Sequence, residues 1–501
     1  MTRGCFNLRE TMSNAHIKSG LPAANLCDRR RFLLHALTAM GGTTLGACGG
    51  NNTLTPQFLT NAVQSAALPE AVPAPPVVQP SASAAAVPPP SPAVAAPGVP
   101  AWVPPPGYFA DIPMRNTPFD VTPSFYTNSD MAYAYDDWGG SAILKDFSPL
   151  GAQVLHSAGH EAAPGLPNIQ FALICDFTTL LFSVANLPAA PNRGNTAVVP
   201  SGSFPDGTPY SGHSYLGLQE FPAAWGGGPK GSLMSFAIAG SPFQDRARSL
   251  DVSKVTGGYG FIDKTDIGGI SNKVGATAPD GGTYPTTAID YKREGWWLDD
   301  FSQQRQSTIF LSKTGGVTLV PALHGNMSDG CIVLCHSLDL LVAASGGYMA
   351  GPYNNSSARL LRIRDLATGT MYAVDTIGLY PSLTTGYDSS SHAASVYLAV
   401  NKLGMQWVDN LRMIVGFDQG ATPPRVVTLT PGPDPKVDPW TWGFVSLSHW
   451  DNGDSGGQAN LIAPERNNVW SRFRYVDALD AFVLASDSHH KPQVIRLVKT
   501  P

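Results

Sequence analysis

Three segments of this 501-residue chain repeat one local pattern, and that pattern admits little besides antiparallel β-structure. The segments 334–342 (LCHSLDLLV), 407–415 (WVDNLRMIV) and 475–483 (YVDALDAFV) align without a gap. Each ends an apolar run, crosses a short polar turn carrying a Leu, and starts a second apolar run, as a β-hairpin does. A third apolar run follows every copy, at 358–363, 425–429 and 493–497. The copies recur at intervals of roughly 70 residues, longer than the roughly 40–50 of common blade-type repeats, and long loops between strands account for the excess.

Hairpins followed by further strands, repeated along a chain, predict an all-β fold, a β-propeller of six or seven blades. The rest of the chain agrees. Charged residues are only 14%, Gly numbers 51, and short Val/Ile/Leu/Phe/Tyr runs alternate with Gly, Pro, Asn and Asp. Inner strands are expected near Ala142, His213, Ala288, Cys331, Met405 and Phe473. The run Val494–Leu497, close to the C-terminus, is expected to close the ring with an N-terminal strand. The net charge of −5 and the lack of a basic patch exclude a nucleic-acid partner. Cys331 and Cys335 on one strand would stand about 13 Å apart, too far to bridge. With Cys175 they leave neither a disulfide framework nor a zinc spacing.

Several short elements resemble the secreted bacterial kelch-type propellers of the galactose-oxidase-like superfamily. Asp137–Ala142 is similar to a Trp-Gly-Gly blade opening. Ser157–Glu161 is similar to a Gly-Gly-His-Ala turn, with Ala158 in place of the first glycine. Pro205–Pro209 with Gly212–Tyr215 resembles Pro-Asp-Gly…Arg-His-Thr-Tyr, with Gly212 in place of arginine. Ser471–Val476 is similar to an Arg-Phe-Arg-Tyr-Val-Pro opening of a last blade. The resemblance covers most of 130–500 and implies a kelch-like propeller, a fold that hosts many functions.

The N-terminus reads as an address. Asp28-Arg29-Arg30-Arg31-Phe32-Leu33-Leu34 and the short apolar run to Leu45-Gly46-Ala47-Cys48 have the order of a twin-arginine lipoprotein signal, 1–47. Cleavage would leave a lipid-bearing Cys48, holding the protein to a membrane from the periplasm or cell surface. Residues 48–107 are rich in Ala and Pro, with Pro-Pro-Pro at 88–90 and 104–106, and form an extended tether. The propeller domain is then 108–501.

His160, His213, Arg472, Arg474 and Tyr475 stand at strand starts or turns of different blades, where a propeller can bring them to one mouth. A histidine base, an arginine clamp on a carboxylate and a tyrosine proton donor are what a uronate-polysaccharide lyase needs. The competing account has His213, Arg472 and Arg474 tying blade backbones together. Gly453-Asp454-Ser455-Gly456-Gly457 matches the nucleophile segment of trypsin-like proteases, but a Gly/Asp/Ser turn explains it more simply. Copper-radical oxidation lacks a Tyr-His pair, and His489-His490 reads as an exposed turn. The Asp residues at turns, among them Asp339, Asp409, Asp418, Asp477 and Asp480, fit side-chain caps better than a calcium loop. Trp296 and Trp297 on a strand point to opposite faces, leaving one exposed as a platform for sugar stacking.

These features predict a membrane-anchored binding module for polysaccharide or an envelope component. The alternative is a carbohydrate-active lyase at the His/Arg/Tyr mouth. No cofactor or metal is identified.

Overall fold

The computed structural model describes residues 98–124, 126–127, 139–156, 171–187, 214–236, 247–261, 285–300, 307–323, 330–344, 347–350, 359–382, 384–388, 393–398, 400–451, 458–464 and 469–499. All of them belong to one compact unit, 87–501. His160, His213, Cys48 and the 453–457 motif lie outside the described residues.

Among the described residues, five four-stranded antiparallel sheets follow in chain order, the fourth and fifth joined into one continuous eight-stranded sheet by parallel pairing of Thr376, Ile377 and Gly378 with Trp440, Thr441 and Trp442. The first is Gly140–Leu144, Ala152–His156, Ala172–Asp176 and Leu181–Ala185; the second is Leu218–Phe221, Ser232–Ser235, Arg248–Leu250 and Tyr259–Phe261. The third is Pro285–Asp290, Gly295–Asp300, Ser307–Ser312 and Val317–Pro321. The fourth is Cys331–Cys335, Leu340–Ala344, Leu360–Asp365 and Met371–Gly378; the fifth is Gln406–Val408, Met413–Asp418, Arg425–Thr430 and Trp440–Val445. A sixth takes its first three strands, Phe473–Val476, Ala481–Leu484 and Gln493–Arg496, from the C-terminus. Its fourth, Tyr108–Asp111, comes from the far end of the domain, with Ala110 opposite Val494.

The first strand of each sheet contacts the first strand of the next, and that of the sixth contacts that of the first. The sheets therefore stand around an axis as the blades of a β-propeller. A smaller sheet, Gly347–Ala350, Ala393–Leu398 and Thr384–Asp388, is inserted between strands of the fourth and fifth sheets.

Burial explains why the inner strands are written as unbroken apolar runs. Cys331–Cys335 and Leu340–Ala344 are buried along their whole length, because neighbouring blades cover both faces. The outer Met371–Gly378 instead alternates between exposed and covered positions. The core is a set of wedges: Leu144, Val154 and Leu218 pack between the first two sheets, and Met234, Phe236 and Trp296 between the second and third. Trp296 and Trp297 do point to opposite faces, but both are buried, at 0% and 5% exposure. The expected exposed tryptophan is corrected by this packing: a strand inside a propeller has no free face.

At the N-terminal ends of the inner strands three sheets are stitched together. Ser141 N donates to Ser471 Oγ (2.8 Å), Ser471 Oγ donates to the Tyr215 carbonyl (2.8 Å), and Gly140 N donates to Ser214 Oγ (2.8 Å). A Cβ at position 140 would collide with the Tyr215 carbonyl and the Ser471 hydroxyl, so glycine permits this approach.

Candidate functional site

The axis of the ring is a cavity of about 610 Å³, and all six sheets wall it. Its interior is contributed by first strands, at Ala142, Gln219, Thr287, Ile332, Gln406 and Arg474. Its rim is built by the turns joining first to second strands, which also supply Lys145, Tyr291, His336, Asp409 and Asp477.

The repeated hairpin explains this rim. His336, Asp409 and Asp477 occupy one column of the three aligned segments, so the ring carries them to equivalent places. Asp339, Arg412 and Asp480 occupy another column, and all three have left-handed backbone, with φ of 55°, 53° and 49°. Residues 289–297 form a fourth copy, with Tyr291 in the first column and Glu294, φ 51°, in the second.

Hydrogen bonds link the rim from blade to blade. Glu220, 3% exposed, accepts from Lys145 N (2.6 Å) and from the Tyr291 hydroxyl (2.9 Å). Burial raises its carboxyl above the ordinary carboxylate value. Lys145 Nζ pairs with Asp477 (2.5 Å) and lies 4.5 Å from the Tyr291 ring centre. Asp409 accepts from Trp407 Nε1 (2.5 Å) and Ser337 N (3.0 Å). Burial lowers the His336 imidazole, which favours the neutral ring.

The three described candidates from the sequence meet different fates. Arg472 is fully buried outside the cavity wall; its Nη1 donates to the Ser486 carbonyl (2.8 Å), and its own carbonyl accepts from Gln153 (2.9 Å). Arg474 lines the cavity and donates to the Ser141 carbonyl (3.2 and 3.3 Å) and, more distantly, to that of Leu218 (3.5 Å). Burial lowers its guanidinium to about 10, which leaves it cationic at neutral pH. Tyr475 also lines the cavity; its hydroxyl donates to Asp480 (2.7 Å) and accepts from Asn410 (2.7 Å). Burial and then the bond to Asp480 raise the phenol well above its usual value, so it holds its proton too firmly to be an efficient acid at neutral pH. Arg474 and Tyr475 thus share the cavity, and Arg472 does not.

Among the described residues, no three His, Cys, Asp or Glu side chains gather as a metal-binding group. The thiols of Cys175, Cys331 and Cys335 are free and buried, and burial pushes that of Cys331 up to about 12. His489 and His490 form a turn capped by Asp487, which accepts from both backbone N–H groups. Asp418 likewise receives Ser382 N (2.9 Å). Sequence reasoning missed Lys145, Glu220 and Tyr291; for His336, Asp409 and Asp477 the aligned column was the available signal.

No family model matches this chain, and no curated protein matches it. Solved structures resemble it at low identity. The WD40 repeats of RRP9 share 8% identity over 72% of this chain and 95% of theirs, with a TM-score of 0.33. Virginiamycin B lyase from Staphylococcus aureus shares 11% over 73% and 98%, with a TM-score of 0.31. An auxiliary nutrient binding protein from Bacteroides thetaiotaomicron shares 11% over 71% and 97%, with a TM-score of 0.26. Likenesses this distant carry no statement about ligand or chemistry.

Proposed function

We propose that this chain is an exported, lipid-anchored propeller of six kelch-like blades that acts as a binding module for a polysaccharide or envelope component. The single observation that carries the reading is the axial cavity, shared by all six sheets and of a size suited to a small ligand or one unit of a chain. Of the described groups a lyase would use, Arg472 lies outside the cavity and the Tyr475 proton is held by Asp480. Arg472 and Arg474 donate to backbone carbonyls, and Tyr475 is held by Asp480 and Asn410. Export and anchoring rest on the Arg29-Arg30-Arg31 leader and Cys48. A Cys48→Ala chain is expected to leave the membrane fraction, as fractionation and immunoblotting would show.

The test uses the full chain in detergent against a panel of neutral and uronate-containing polysaccharides. Saturable retention without any unsaturated product is expected. A rise in ultraviolet absorbance that disappears in His213→Ala would make the protein a lyase instead.

A further inference from the structure

We propose that the axial cavity binds a carboxylate-bearing ligand of monosaccharide size, a uronic acid or a uronate unit of a chain, with the carboxylate seated on Arg474. This rests on the binding-module reading and names its ligand class.

Arg474 spends its hydrogen bonds on neutral carbonyls, through Nε and Nη2 alone. Among the described residues its Nη1 has no acceptor and no carboxylate lies within ion-pair distance of its guanidinium. The carboxylates of the rim are committed elsewhere. Glu220 holds Lys145 N and Tyr291, and Asp477 holds Lys145 Nζ. Asp480 holds Tyr475 and Arg496, and Asp409 holds Trp407 and Ser337 N. The wall beside Arg474 is neutral, as at Ala142, Gln219, Thr287 and Gln406.

A half-buried guanidinium without a counter-ion carries a cost, and an anion entering the cavity reduces it. The planar fork of Arg matches the two oxygens of a carboxylate. A dianion fits less well, because Lys145 and Lys292 are paired with Asp477 and Asp339, which leaves Arg474 as the lining cation without a carboxylate partner while Glu220, Asp409 and Asp480 stand at the rim. The Tyr291 ring, 37% exposed, lines the same cavity and offers apolar surface to a pyranose ring.

Calorimetric titration of the full chain in detergent with D-glucuronate, D-glucuronamide, D-glucose and inorganic phosphate tests this. Saturable binding of glucuronate is expected, with affinity for the neutral glucuronamide at least about tenfold weaker. Arg474→Gln should lose glucuronate binding while still folding, with a melting temperature lowered by the lost bonds to the Ser141 and Leu218 carbonyls, and Arg474→Lys should retain part of it. Should Arg474→Gln fail to fold, the glucuronate/glucuronamide contrast in the unaltered chain decides. Equal binding of those two ligands, unchanged binding in folded Arg474→Gln, or a preference for phosphate would each overturn the proposal. Retention of polysaccharide without glucuronate binding overturns this ligand assignment alone, whereas loss of both also removes the binding-module reading.

Discussion

His156 closes the second strand of the first sheet at 2% exposure, and neither ring nitrogen has a partner among the described residues. Burial first, and then the nearby Arg248 charge, lower its pKa from 6.5 to about 3. The unfolded chain therefore takes up a proton near pH 6.5 that the folded chain refuses until about pH 3. Stability is expected to fall with pH across that window, by on the order of 4 kcal/mol at its acid end. His156→Leu should flatten this slope in urea midpoints measured from pH 7 to pH 3.5. At the rim, Tyr475→Phe removes the hydroxyl that donates to Asp480 and accepts from Asn410, leaving the direct Asn410–Asp480 bond in place. A loss of about 1 kcal/mol in chemical denaturation is expected. Neither effect was legible in the sequence, since His156 and Tyr475 are defined by what surrounds them across the ring.

The hairpins were legible, because a hairpin is written in consecutive residues. Alignment of 334–342, 407–415 and 475–483 placed both strands and the turn of three sheets, and the strands after them pair as expected. It also held information about backbone: the column of Asp339, Arg412 and Asp480 is the left-handed one. Only Arg412 among these lacks the short side chain that tolerates this conformation. Arg412→Gly is expected to raise stability by about 0.5–1 kcal/mol, and Arg412→Val to lower it, as thermal denaturation would show. The fourth copy, 289–297, escaped notice because Arg293 stands where the others carry Leu.

Closure of the ring belongs to the whole molecule. Phe109, from the N-terminal strand, packs at 4% exposure among Phe482, Leu484 and Ile495 of the C-terminal sheet. Truncating it opens a cavity in the one sheet made from both ends of the domain. Phe109→Ala should cost about 3–5 kcal/mol and lower the unfolding midpoint in a single transition, as read by tryptophan fluorescence and far-ultraviolet circular dichroism together. Separate transitions by the two probes would show that the sixth sheet opens independently of the rest.

The sequence by itself determined an all-β chain of repeated hairpins and, through their spacing on one strand, that Cys331 and Cys335 stay unbridged. These follow from alternation, turn residues and spacing, which act over a few residues. Tertiary structure alone decided what met at the axis. Ser141 bonds to Ser471 across 330 positions, and Glu220 meets Tyr291 across 71. Arg472 and Arg474 are two residues apart and have the same side chain, yet one is buried outside the cavity wall and the other lines it. A ring brings distant strands into register through packing between blades, and no local pattern encodes which residue of each turn will face its neighbours there.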